Sequence, residues 1–206
     1  MPLDAHGNII PDFGTNAARS SGATPDTPST SAAGAAAAAG PRKMAFICSK
    51  GNLDMAYPAL IMANAALSEG IDVDIFFTFW GLDLVDVRTA DSLKFTFSGN
   101  TAMHMPELER LRGGLGTASM PQALAVLPGV TGFATRMMKK QMADLEIPTV
   151  REMLEQISAM GGKLWACKLT VEMMKIKEAN LVSEIDAIIS ATDFIEKSAG
   201  AQIVFV

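Results

Sequence analysis

Cys167 stands where two local signals meet. An apolar run, Gly162-Lys163-Leu164-Trp165-Ala166, ends there, and the residues that follow, Thr170-Val171-Glu172-Met173-Met174, read as a helix. The first turn of a helix presents unpaired N–H groups and a partial positive charge, and both favour a thiolate over a thiol. Lys168 adds a cation beside the sulfur, and Thr170 is placed to cap the helix or to donate a hydrogen bond to sulfur. Cys48 closes an earlier apolar run, Met44-Ala45-Phe46-Ile47-Cys48, and is the candidate second thiol. The chemistry these residues suggest is nucleophilic thiol chemistry. The competing reading makes each cysteine a small buried hydrophobe and makes Lys168 and Thr170 ordinary helix-start residues.

Other constellations are weaker. The turn Ser49-Lys50-Gly51-Asn52, between a strand and a helix, offers N–H groups to an anion but lacks the Gly-x-x-x-x-Gly-Lys-Ser/Thr spacing of a phosphate loop. Asp54 reads as a cap of the helix start in preference to a partner for Lys50. His6 and His104 are far apart and support no metal site, and Met103-His104-Met105 reads as packing in a methionine-rich stretch. No cofactor is implied.

The elements that must position the thiols follow from periodicity. A strand at 44–48 precedes a helix whose apolar face is spelled by Leu53, Ala56, Tyr57, Leu60, Ile61, Asn64 and Ala65 and which Gly70 closes. Residues 73–80 read as a second buried strand, and 163–167, 186–190 and 202–206 as later ones. Helices fit 149–160 and 193–198. Strands separated by helices predict a single α/β domain with a mainly parallel five-stranded sheet flanked by helices. In a flavodoxin-like strand order the strands ending at Cys48 and Cys167 are neighbours, which would put both sulfurs in one pocket at the C-terminal edge of the sheet. The alternation breaks over 81–143, an insertion rich in methionine, glycine and proline, which reads as a contact surface toward another subunit or over the site.

Composition bounds the rest. A chain of 206 residues supports one domain with a sizeable core. The formal net charge of -5 leaves no basic stripe for nucleic acid. Two cysteines make no disulfide framework and fit a reducing compartment. Residues 1–42, rich in Ala, Ser, Thr and Pro, read as a disordered arm without the basic start and apolar core of a signal peptide, so export is not expected. The apolar stretch 113–133 approaches a membrane span in length, but Pro121, Gln122, Pro128, Gly129 and Gly132 interrupt it, so membrane contact is not expected either.

Several segments carry a resemblance that periodicity does not supply. Ser49-Lys50-Gly51-Asn52-Leu53-Asp54, Tyr57-Pro58-Ala59-Leu60-Ile61-Met62-Ala63-Asn64-Ala65-Ala66 and Phe76-Phe77-Thr78-Phe79-Trp80-Gly81-Leu82 resemble the DsrE/DsrF-like sulfur-carrier family, within it the subgroup with a long methionine-rich insertion. Gly114-Leu115-Gly116-Thr117, Pro128-Gly129 and Met137-Met138-Lys139-Lys140 continue the likeness, and Trp165-Ala166-Cys167-Lys168-Leu169-Thr170-Val171-Glu172-Met173-Met174 matches the segment holding that family's reactive cysteine. The similarity spans about residues 43–206. It implies a cytoplasmic, oligomeric sulfur carrier that takes sulfane sulfur as a persulfide on Cys167 and passes it to a partner's cysteine. The donors and acceptors implied are rhodanese-like and TusA-like proteins. Cys48 matches no fixed family cysteine. A thiol-disulfide or peroxide-reducing enzyme, with Cys167 attacking and Cys48 resolving, is the alternative expectation.

Overall fold

The computed structural model describes residues 42–100 and 127–206, with 112–114, 116, 119, 121 and 123 between them. The arm at 1–41, both histidines and the Met103-His104-Met105 triplet lie outside the described residues, as do 115, 117, 118, 120, 122 and 124–126 of the stretch 113–133.

Five strands form one all-parallel sheet: β1 (Lys43–Cys48), β2 (Asp72–Phe77), β3 (Lys163–Cys167), β4 (Ala187–Ile189) and β5 (Gln202–Phe205). Their spatial order is β4-β3-β2-β1-β5. This order corrects the expected adjacency of the two cysteine-bearing strands, because β2 lies between β1 and β3. The reason is visible in the register: β2 pairs with β1 from Lys43↔Asp72 to Cys48↔Phe77 and with β3 from Asp74↔Lys163 to Phe77↔Ala166. Being buried along both faces, Val73-Asp74-Ile75-Phe76-Phe77 takes the centre of the sheet that a flavodoxin-like order reserves for another strand.

Helix α1 (Leu53–Ser68) buries Leu53, Ala56, Ala59, Leu60, Ala63 and Ala66, a stripe at helical spacing whose alanines let it lie close to the sheet. It ends as its sequence predicts. Gly70 has φ +71°, and the N–H of Ile71 returns to the carbonyl of Ala66, as in a Schellman closure. Helix α2 (Val130–Asp144) occupies the end of the insertion, where the sequence pattern had suggested only broken alternation. Helix α3 (Val150–Ala159) starts in a capping box between Thr149 and Glu152. Helix α4 (Lys168–Met173) follows β3 directly, and α5 (Ala191–Lys197) starts in a second capping box between Ser190 and Asp193.

Alternation along the strands separates two faces. Phe46, Cys48, Val73, Ile75, Phe77, Leu164 and Ala166 face α1 and α3 in the larger core. Ala45, Phe76, Cys167 and Ile189 face the other way and pack with Phe194 of α5, whose ring stacks on Phe76 at 4.5 Å between centroids. The central strand also carries a buried carboxylate on this second face. Asp74 accepts the indole N–H of Trp165 at 2.7 Å and pairs with Lys43 at 2.8 Å. The second face is covered only in part: Ile203 and Phe205 on β5 are 57% and 69% exposed.

Candidate functional site

Cys167 ends β3 and is the N-cap residue of α4, so one residue ends a parallel strand and starts a helix. That junction is the place in an open parallel sheet where chemistry gathers. Its side chain closes no conventional capping hydrogen bond, yet four donors face the sulfur closely enough to favour its anionic form. Burial, the largest single influence, pushes the thiol upward. Against it act the Thr170 hydroxyl, the Thr170 N–H, the Thr78 hydroxyl and the Leu169 N–H, and their sum leaves the Cys167 thiol below its ordinary value. The residue keeps 5% of its surface exposed, and sparser surroundings than those of Cys48 leave it at the edge of the core.

Thr170 is the buried partner in this arrangement. Its Oγ1 accepts the N–H of Phe79 at 3.2 Å and lies 3.2 Å from the Thr78 Oγ1. Lys168, by contrast, is exposed, and its charge helps hold the Asp193 carboxyl down, behind the larger effect of the Ser190 hydrogen bonds. No influence of Lys168 figures among those that set the Cys167 thiol.

The Thr78–Phe79 segment was not legible as part of the site. The aromatic run predicted a strand to residue 80, but β2 stops at Phe77, and Phe79–Leu84 winds into a 3₁₀ turn. Phe79 has φ +46°, a left-handed conformation that costs a residue with a Cβ about 1 kcal/mol. The turn is forced by close backbone approach. A Cβ on Gly81 would lie 2.0 Å from the Cys48 carbonyl oxygen, and one on Gly51 would lie 2.6 Å from that of Trp80. The Thr78 N–H donates to the same Cys48 carbonyl at 2.9 Å. Gly81 was the available signal, since a glycine after an aromatic strand marks a close approach. The turn leaves Phe79 and Trp80 stacked on each other and 46% and 62% exposed, and Leu169 and Met173 of α4 are exposed too.

The structure does not bring Cys48 to Cys167. In register, Cys48 aligns with Phe77 and Ala166, so it shares their face, while Cys167, one residue on, points to the opposite face. Two strand spacings alone put the cysteines about 10 Å apart, beyond the roughly 7 Å Cα limit for a disulfide. The shared-pocket expectation is therefore overturned. Cys48 is 2% exposed in the larger core, and burial pushes its thiol up to about 12.

The remaining candidates resolve differently from expectation. Asp54 does not cap α1: its carboxylate accepts the N–H of Thr96 at 2.9 Å, tying the 94–96 segment across the helix start. In the Ser49–Asn52 turn, the Ser49 N–H and hydroxyl both donate to the Val206 carbonyl, and the acidic side chain of Asp83 crowds Gly51, so the turn does not invite an anion. Among the described residues, no three or more His, Cys, Asp or Glu side chains converge as a metal site, and no helix is long and apolar enough to cross a membrane.

The sequence profile of the DsrE/DsrF/DrsH-like family matches residues 41–206. The chain belongs to the DsrE/DsrF/DrsH-like family. Within reach of it are two curated relatives. The sulfur carrier protein DsrE2 of Allochromatium vinosum is 34% identical over 146 residues, covering 70% of this chain and 86% of that protein. The uncharacterized protein YrkE of Bacillus subtilis is 25% identical over 145 residues, covering 70% of this chain and 84% of its own length. A solved structure of a protein of unknown function from Methanobacterium thermoautotrophicum superposes with a TM-score of 0.46 at 7% identity, covering 80% of this chain and 99% of that one. Among the residues of this DsrE/DsrF/DrsH-like chain, the thiol with donors around it is Cys167, at the end of the third strand.

Proposed function

We propose that the protein is a sulfur carrier that holds sulfane sulfur as a persulfide on Cys167 and hands it to a partner's cysteine. The observation that carries this reading is the Cys167 thiol held below its ordinary value by hydroxyl and N–H donors at the end of β3. Family membership and the similarity to a sulfur carrier protein support it. In the loading step the Cys167 thiolate attacks the outer sulfur of a donor persulfide. The donor's S–S bond breaks, the donor departs as a thiolate, and a new S–S bond forms on Cys167. Unloading repeats the exchange with an acceptor thiolate attacking and Cys167 departing. No net oxidation occurs and no cofactor enters.

The donor and acceptor are small cysteine proteins of the rhodanese-like and TusA-like kinds, and the protein acts in the cytoplasm. The exposed Phe79, Trp80, Leu169 and Met173, on the turn after β2 and on the helix after Cys167, offer such a partner apolar side chains, and the uncovered Ile203 and Phe205 favour a homo-oligomer. The redox alternative loses its support, since a resolving role for Cys48 needs a sulfur that the sheet turns away from Cys167. The test is mass spectrometry of the full chain after incubation with inorganic polysulfide. One or more sulfur atoms that a reductant removes should appear on the Cys167 peptide, vanish in Cys167→Ser and persist in Cys48→Ser. Sulfur gained on Cys48 alone, or rapid peroxide consumption with a Cys48–Cys167 disulfide, would refute the reading.

A further inference from the structure

We propose that Thr78, Phe79 and Thr170 form a positioning device that holds the hydrogen-bonded Thr78–Thr170 hydroxyl pair beside the Cys167 sulfur and so favours release of the carried sulfur over its retention. The inference rests on the reading of Cys167 as the carrier.

The device is built from two elements that meet only in the fold. Thr170 comes from the first turn of α4 and is 1% exposed, so its hydroxyl has no bulk water to bond. Thr78 and Phe79 come from the turn that ends β2. Phe79 keeps a left-handed backbone although it is not glycine, and its N–H donates to the Thr170 Oγ1 at 3.2 Å. Conformations of this kind persist only where surrounding structure over-determines them. Here Gly81, pressed against the Cys48 carbonyl, and the Thr78 N–H bound to that same carbonyl fix the turn from one side. With one lone pair of Thr170 Oγ1 engaged by the Phe79 N–H and the Thr78 hydroxyl 3.2 Å away to donate to the other, the Thr170 proton is left for the sulfur.

The consequence follows from where charge resides in the exchange. In the loaded state the Cys167 sulfur bridges two atoms and is neutral. It becomes anionic only as the acceptor attacks and the S–S bond to it breaks. Donors fixed on that sulfur therefore stabilise the unloading transition state and the empty thiolate more than the loaded ground state. A thiolate of lowered basicity also leaves faster and attacks less strongly, which biases the exchange in the same direction. The exchange stays balanced throughout, with one S–S bond broken and one formed.

The test compares Thr170→Val, Thr78→Val and Thr170→Ser with the unaltered full chain. Three readouts are needed: the pH profile of iodoacetamide alkylation at Cys167, the rate at which excess free cysteine strips sulfur from polysulfide-loaded protein, and hydrogen exchange at the Phe79 amide. Thr170→Val should slow alkylation at neutral pH about tenfold and move the profile to higher pH. It should also slow stripping on the order of threefold and speed exchange at Phe79. Thr170→Ser, which keeps the hydroxyl, should restore all three readouts, and Thr78→Val should slow both reactions without exposing the Phe79 amide. If Thr170→Val fails to fold, as its thermal melt would reveal, Thr78→Val decides alone. Unchanged profiles and stripping rates in folded valine variants that still load sulfur would overturn the device and leave the carrier reading standing. Failure of the unaltered protein to load sulfur would instead remove the carrier reading, and the release bias with it.

Discussion

Cys48 and Cys167 both close parallel strands at the C-terminal edge of one sheet, a single register step apart, and both are buried. Their chemistry diverges. Cys48 points into the larger core, where none of the described residues donates to it, and burial sets its thiol high, at about 12. Cys167 points to the opposite face at the edge of the core, where a strand becomes a helix, so main-chain N–H groups and threonine hydroxyls outweigh a smaller burial penalty. Depth of burial and the donors that accompany it together decide whether a thiol is inert. The comparison also explains why only one cysteine is a candidate carrier although strand position alone recommends both.

The contrast can be broken first through pH. The Cys48 thiol is raised in the folded state from an ordinary 9.0, so the unfolded chain sheds this proton while the folded chain retains it. Its contribution to stability is full below pH 9 and is lost as pH rises toward 12, by up to about 4 kcal/mol. Cys167, lowered in the folded state, has the opposite sign: its contribution is full above pH 9 and is lost as pH falls through its folded value. Urea unfolding under reducing conditions should show a shallower alkaline loss for Cys48→Ala than for the unaltered protein. An equal alkaline loss in both would show that Cys48 is solvated.

A second test acts on the backbone that joins the two strand ends. Gly81→Ala places a Cβ 2.0 Å from the Cys48 carbonyl oxygen, a clash with main chain on both sides that no rotamer relieves. It should cost about 3 kcal/mol in denaturant unfolding and slow alkylation at Cys167 by displacing Thr78 and Phe79. Unimpaired stability would mean that the 78–81 turn is not held as described.

Smaller but more selective is the pair of serine substitutions. Cys48→Ser buries a hydroxyl among apolar neighbours and should cost about 2 kcal/mol. Cys167→Ser meets donors already in place at a helix N-cap, where serine is favoured, and should cost less than about 0.5 kcal/mol. Equal costs, measured by denaturant midpoint, would erase the distinction between the two environments.

Much of the fold was legible in the sequence because its signals are local. The apolar runs at 44–48 and 163–167, the Gly70 closure of α1 and the helical pattern from 149 all act within a few residues. Cys167 at its strand–helix junction was legible for the same reason. What escaped depends on contacts distant in sequence. Strand order was misjudged because pairing partners are not written in either strand, and with it went the proximity of Cys48. Thr78 and Phe79 were absorbed into β2 because β-branched and aromatic residues favour a strand, whereas the close approach of Gly81 to Cys48 ends it. Asp54 was read as a local cap, but its partner, Thr96, lies 42 residues along the chain.

The most direct measurement is competitive alkylation of the native protein across pH, with the extent of modification at each cysteine read separately by peptide mass spectrometry. Cys167 should react with a midpoint below 9.0, and Cys48 should stay unmodified until the protein unfolds. Modification of Cys48 at a rate matching Cys167 in the folded state, or a Cys167 that reacts only on unfolding, would contradict the account.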